Sequence, residues 1–199
     1  MIYLASRSPR RRELLRQIGI PFQPLLFRSG DRADREVDES ALPEESPLQY
    51  VQRVALAKVD HGVRLLHERR FAENPVLSAD TALDLDGKII GKPENDADAQ
   101  RILESLSGRT HRVLTAVAVS YQGSTRCVVS ESDVRFRALS DADIQRYLKT
   151  GEHRDKAGAY GIQGHAGMFV AHISGSYTGI MGLPLCETAQ LLREFSLQF

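Results

Sequence analysis

Ile2-Tyr3-Leu4-Ala5-Ser6-Arg7-Ser8-Pro9-Arg10-Arg11-Arg12-Glu13-Leu14-Leu15 is the stretch whose reading decides the fold. Ile2 to Ala5 is a short apolar run that reads as a buried strand. Ser8-Pro9 follows as an N-cap with proline at the first helical position, where its missing N–H has no intrahelical partner to lose. Leu14, Leu15 and Ile18 then share one helical face, and Gly19 can close the helix. A buried strand feeding directly into an amphipathic helix is the opening unit of an α/β sheet.

The rest of the chain continues the alternation. Residues 28 to 47 are polar and charged, with Gly30, Pro43 and Pro47, and read as a loop. Leu48 to about Arg70 is helical, with Val51, Val54, Ala55, Lys58 and Val59 at helical spacing. Pro75 to Thr81 reads as a second buried strand, and Leu83 and Leu85 lead into a hairpin turn at Asp86-Gly87, with Ile89-Ile90 after it. Asn95 or Asp96 can cap a helix that runs to Ser107. Val113 to Tyr121 and Thr125 to Phe136 form a hairpin across Gln122-Gly123. Ser140 with Asp143 resembles a capping box opening a helix to Thr150. Asp155 to Gly167 is a glycine-rich loop, Met168 to Ile173 a strand, and Leu185 to Phe195 a closing helix. The expectation is an α/β fold.

Bulk properties narrow the function. A chain of 199 residues suits one domain or two closely packed lobes, and at that size it needs no disulfide or metal staple. Its two cysteines, Cys127 and Cys186, form no C-x-x-C pair, so neither a zinc site nor a disulfide framework is expected, and a reducing cytoplasm fits. Lys+Arg and Asp+Glu both number 26, which argues against a surface built to coat nucleic acid. No window approaches 18 apolar residues, so no membrane span is expected, and the order of apolar and basic residues at the N-terminus is the reverse of a secretory leader.

Local rules are broken at a few places, and these carry the chemistry. Arg10, Arg11 and Arg12 crowd the first turn of the first helix, where the helix dipole disfavours cations. Three guanidiniums beside free backbone N–H groups make a cradle suited to phosphate; the alternative is a solvated basic turn. Asp80 ends the run Val76-Leu77-Ser78-Ala79, where α/β sheets place ligands. There it reads either as a cation ligand or proton acceptor, or as a turn residue bonded to its own backbone. Lys92 lies in Gly91-Lys92-Pro93, and Lys156 precedes Gly158, Gly161, Gly164 and Gly167, a spacing that fits a binding loop and a flexible surface loop equally. Glu39 reads from its surroundings as part of a solvated acidic loop. The residues alone thus reach an anion-binding α/β domain with an acidic catalytic candidate, and no substrate.

Six segments in order match a known family: Leu4-Ala5-Ser6-x-Ser8-Pro9-Arg10-Arg11, Ser78-Ala79-Asp80-Thr81, Gly91-Lys92-Pro93, Leu106-Ser107-Gly108, Asp155-Lys156-Ala157-Gly158-x-Tyr160-Gly161-Ile162-Gln163-Gly164, and Gly182-Leu183-Pro184-Leu185. Over essentially its full length the chain resembles the Maf family of nucleoside triphosphate pyrophosphatases. The resemblance implies one Maf-like domain over residues 1–199, with a mixed, elongated sheet and flanking helices in two lobes around a cleft, similar to inosine-triphosphate pyrophosphatases. It also implies a cytoplasmic hydrolase, often a homodimer, that uses Mg²⁺ or a similar divalent cation such as Mn²⁺. By the same resemblance Asp80 is the proton acceptor, Ser6, Arg10 and Arg11 handle phosphate, and Lys58, Lys92 and Lys156 match the family lysines. Glu39 matches its acidic loop residue and would share the cation with Asp80. The loop from Phe27 to Pro47 is longer than usual, with Arg28 to Arg35 inserted.

Arg10, Thr81 and Gln163 agree with the branch acting on dTTP and UTP, where the 7-methyl-GTP branch carries an aromatic residue, Gln and Glu. The resemblance therefore implies hydrolysis of dTTP or UTP to the monophosphate and pyrophosphate, with Thr81 and Gln163 on the base edge. The alternatives are a 7-methyl-GTP pyrophosphatase and a non-catalytic nucleotide-binding regulator of septum formation.

Overall fold

A computed structural model describes residues 1–25 and 37–195. The inserted Arg28-to-Arg35 stretch therefore lies outside the described residues. The chain runs β1 (Ile2–Leu4), α1 (Pro9–Gln17), β2 (Phe22–Pro24), α2 (Pro47–Glu68), β3 (Val76–Leu85), β4 (Lys88–Ile90), α3 (Asp96–Leu106), β5 (Thr110–Tyr121), β6 (Ser124–Phe136), α4 (Asp141–Leu148), β7 (Val170–Ser174), α5 (Tyr177–Ile180) and α6 (Leu185–Glu194). The strands form one mixed sheet in the order β2-β1-β3-β5-β6-β7, with β4 paired to β3. The expected α/β class, a long mixed sheet flanked by helices, is what forms.

Helix ends sit where local chemistry puts them. The Ser8 hydroxyl accepts from the Arg11 N–H at 3.4 Å, and Pro9 opens α1. At the other end Gly19 adopts a left-handed φ of 68°, which lets the Gly19 and Ile20 N–H groups reach the Arg16 and Leu15 carbonyls at 3.0 and 3.1 Å. Ser46 with Gln49, and Ser140 with Asp143, close reciprocal capping boxes at the starts of α2 and α4. The structure also departs from expectation: β5 begins at Thr110, α4 ends at Leu148, Met168 belongs to a 3₁₀ turn before β7, and β2 and α5 are additional elements. β2 is bounded by Pro21 and ends at Pro24, residues that lack a ladder N–H; it survives because it is an edge strand, parallel to β1.

Two apolar layers sandwich one half of the sheet. Leu14 and Leu15 of α1, with Leu191 and Leu192 of α6, pack on Leu77, Ala79, Val117 and Val119. Val51, Ala55, Val59 and Leu65 of α2 pack on the opposite face against Val76, Leu114, Ala116 and Ala118. α2 approaches so closely that a Cβ at Gly62 would stand 2.8 Å from Val76 and 3.1 Å from Ala5. A third cluster, including Leu83, Val113, Leu103, Ile144, Tyr160 and Phe169, forms the far end. Ser78, Asp80 and Thr115 are buried polar residues in the middle of these strands and belong to none of the clusters. The site sits at that seam.

The sheet also leaves β3 open there. On one side β3 pairs β5 from Val76 to Asp84 without interruption. On the other, β1 is paired as far as Leu77, and β4 is paired from Leu83 onward. Among the described residues, 78–82 have no strand neighbour on that side. Alternation along the ladder turns the N–H and C=O of Ala79 and Thr81 into this notch, since Leu77 and Leu83 use theirs on β1 and β4.

The glycine-rich segment is tied to the far cluster by His111 on β5, whose Nε2 meets the Tyr160 hydroxyl at 2.8 Å. His111 is 2% exposed and edge-on to Phe136, and burial depresses its pKa to about 4. The unfolded chain takes up this proton near the ordinary imidazole value of roughly 6.5, so protonation favours unfolding and stability falls with pH across the window between the two values. Urea unfolding should lose about 2 kcal/mol between pH 7 and pH 5 from this group, and His111→Phe should flatten that slope. An unchanged slope in the variant would show that another group is responsible.

Candidate active site

The end of β1 and the middle of β3 bring the sequence-marked residues together. Lys58, on α2, donates to Asp80 Oδ1 at 2.8 Å and lies 2.8 Å from Glu39 Oε1. One ammonium thus bridges two carboxylates. Asp80 is 6% exposed overall, and the Glu39 side chain is 42% exposed. Residues 37–46 are indeed irregular, but Glu39 points back to the sheet instead of only into solvent. Tyr50 helps fix that segment, its hydroxyl donating to the Glu39 carbonyl at 2.9 Å. Burial works against ionising Glu39, but the charge and hydrogen bond of Lys58, aided by Lys92 and Arg11, outweigh it and hold its pKa below the usual carboxylate range.

Arg11 leaves the first turn of α1 and spans three anchors. Its Nε donates to the Gly182 carbonyl at 2.8 Å, Nη1 to the Ser6 hydroxyl at 3.3 Å, and Nη2 to the Thr81 hydroxyl at 3.2 Å. Burial lowers its pKa, and the charges of Asp80 and Glu39 oppose that shift. Arg10 lies on the other side of the turn, where a Cβ at Gly161 would stand 3.0 Å from its Nη2 and 3.2 Å from Lys156 Cε. Burial lowers the pKa of both Arg10 and Lys156, and the charge of Arg10 lowers that of Lys156 further. Two like charges held together and partly desolvated form a place that an anion relieves.

Two predicted residues remain, Lys92 and Gln163. Lys92 follows β4, exposed, and its charge reaches Glu39. Gln163 is exposed in the loop between Gly161 and Gly164. Glu152 clamps that loop, with Oε2 accepting from the His165 N–H at 2.9 Å and Oε1 lying 2.5 Å from His165 Nδ1; a Cβ at Gly164 would collide with it. Glu152, Gly182 and Thr115 join the site without having been among the expected residues. Thr115 carried a signal: it is the single hydroxyl in Val113-Leu114-Thr115-Ala116-Val117. The Thr81 hydroxyl, expected on a base edge, is engaged by Arg11 and lies 2.9 Å from Thr115 Oγ1.

The donor set fits a divalent cation of the hard, oxygen-seeking kind. Asp80 and Glu39 supply carboxylate oxygens, and among the described residues no group of three or more His, Cys, Asp or Glu gathers to form an all-protein cage. Mg²⁺ is usually held in that way, by one or two carboxylates, with water and phosphate oxygens completing its shell.

A family model described as Maf-like protein matches residues 1–195. The chain belongs to the Maf-like family. Two relatives of this Maf-like chain are called dTTP/UTP pyrophosphatase. One, from Dechloromonas aromatica (strain RCB), is 59% identical over 192 residues, covering 96% of each chain. The other, from Aromatoleum aromaticum (strain DSM 19018 / LMG 30748 / EbN1), is 60% identical over 195 residues, covering 98% of the Maf-like chain and 95% of the relative. The Staphylococcus aureus Ham1 protein shares the fold, with a TM-score of 0.55 at 14% identity over 98% of the Maf-like chain and 99% of that chain. Among the described residues, no helix of the Maf-like chain is long and apolar enough to cross a membrane.

Proposed function

We propose that the chain hydrolyses dTTP and UTP to the nucleoside monophosphate and pyrophosphate. The observation that carries the chemistry is the Glu39–Lys58–Asp80 bridge beside the anchored Arg11, which sets paired carboxylates next to a preorganised cation. The choice of nucleotide rests on the relatives named dTTP/UTP pyrophosphatase and on the agreement of Arg10, Thr81 and Gln163 with the residue pattern of the dTTP/UTP branch.

In this reading the triphosphate lies along the opening turn of α1. Arg10, Arg11 and Lys156, with Lys92 across the site, offset the charge that moves onto the leaving pyrophosphate, the main contribution a protein makes to phosphoryl chemistry. Asp80 accepts the proton of a water aligned with the α-phosphorus. Asp80 and Glu39 would hold the divalent cation, which supplies charge neutralisation at the phosphate oxygens. Lys58 keeps the two carboxylates together and balances one of their charges. Gln163, in the loop clamped by Glu152, faces the base. The reading includes a cytoplasmic setting, supported by the free Cys127 and Cys186, and a homodimer, supported by the family resemblance alone.

The test is pyrophosphate release from dTTP, UTP, CTP, dATP, GTP and 7-methyl-GTP with Mg²⁺. Release is expected from dTTP and UTP at rates about a hundredfold or more above the others, the discrimination a site gains when wrong partners leave polar groups unpaired. EDTA should abolish it, and Mg²⁺ or Mn²⁺ should restore it. Preference for 7-methyl-GTP would discard the specificity assignment, and no release from any nucleotide would discard the enzyme reading.

A further inference from the structure

Behind Arg11 runs a chain of hydroxyls that the mechanism above does not use. Thr115 is fully buried on β5, directly across the ladder from Thr81. Its hydroxyl donates to the Gly179 carbonyl at 2.8 Å. We propose that Thr115 is a positioning residue for Arg11, acting through Thr81; only its catalytic readout rests on the pyrophosphatase reading.

The number of hydroxyl hydrogens fixes the direction of this chain. A carbonyl can only accept, so the single hydroxyl hydrogen of Thr115 is committed to Gly179. The 2.9 Å contact between Thr115 and Thr81 therefore takes its hydrogen from Thr81. With that hydrogen turned into the sheet, Thr81 shows Arg11 only lone pairs, and Arg11 Nη2 donates into them at 3.2 Å. The polarity of the chain is set from its buried end. The segment that fixes it also holds Arg11 directly, because Gly182, three residues after Gly179, accepts from Arg11 Nε at 2.8 Å. Ser6 is the third anchor. A guanidinium has five N–H groups; with three engaged, one on each terminal nitrogen is left for phosphate oxygens. Thr81 thereby serves the phosphate side of the site, and its hydroxyl has no hydrogen left to give a base. Valine at 115 would keep the volume but remove both functions, freeing the Thr81 hydrogen to turn toward the guanidinium N–H.

A double-mutant cycle tests this, with pyrophosphate release from dTTP and calorimetric binding of inorganic tripolyphosphate as the two readouts. Thr115→Val should lower kcat/KM by about tenfold to a hundredfold, the loss expected when a charged clamp shifts by a fraction of an ångström to an ångström. Thr115→Ser should recover to within about threefold, since it restores the hydroxyl. In an Arg11→Ala background, Thr115→Val should cost less than about twofold on tripolyphosphate binding, because the coupled partner is already gone. Thr81→Val should show the same dependence on Arg11. Equal losses in both backgrounds, or none in either, would overturn the proposal. If the wild-type protein releases no pyrophosphate, the enzyme reading falls, and the tripolyphosphate cycle still decides the role of Thr115. If Thr115→Val does not melt cooperatively, Thr115→Ala takes its place in the cycle.

Discussion

Asp80→Asn should release pyrophosphate about a thousandfold more slowly than the wild-type protein while melting within a few degrees of it. The substitution keeps the shape of a side chain that is 6% exposed, so no cavity opens. It removes the charge and the proton affinity that a general base requires. Lys58 loses one anionic partner but retains Glu39 at 2.8 Å, which keeps its ammonium paired. The double dependence of Lys58 explains why stability should survive when catalysis does not. Circular dichroism melting and a pyrophosphate-coupled assay on the same preparation separate the two effects. Turnover within a few-fold of wild type would remove Asp80 from the role of proton acceptor.

Arg11→Ala is expected to cost about a hundredfold to a thousandfold in kcat/KM, the scale seen when one preorganised donor to a developing anion is removed. Arg11→Lys should recover little of it. An ammonium is a single point charge on a flexible stem, and it cannot reach Gly182, Ser6 and Thr81 together while still offering donors to a ligand. Loss of the Arg11 charge also removes one of the influences that keep Glu39 ionised. The acid limb of the rate profile should accordingly move to higher pH in Arg11→Ala, because a carboxylate relieved of a cation takes up its proton sooner. Full activity in Arg11→Lys would show that charge alone, without the fork, is enough.

Local chemistry was legible in the sequence. Ser8-Pro9, the Ser140 box, Gly19 and the Asp86-Gly87 turn act through neighbours a few residues away, and each lies where its own segment dictates. The candidate residues were named through the family resemblance, most of them within the six matching segments, as a set without a geometry. What stayed hidden depends on contacts between distant parts of the chain. Glu39 looks like any acid in a polar loop until α2 brings Lys58 between it and Asp80, a residue 41 positions further on. Thr115 looks like an ordinary strand threonine until β3 places Thr81 beside it and α5 supplies the Gly179 carbonyl. β2 was hidden because its prolines argue against a strand, and only its position at the edge of the sheet makes them harmless.

The notch in β3 gives one strand two characters. At both ends β3 is an interior member of the sheet, held from both sides. Over residues 78–82 it is a margin, with β5 as its one strand neighbour among the described residues. A full-length open edge invites strand addition from other molecules, and proteins usually blunt such edges with charge or cover. Here β1 and β4 close the opening above and below, so the gap is too short for another chain to dock as a strand. The break thus interrupts the pairing of the central strand without leaving a full-length open edge, and costs the sheet little of its protection against self-association.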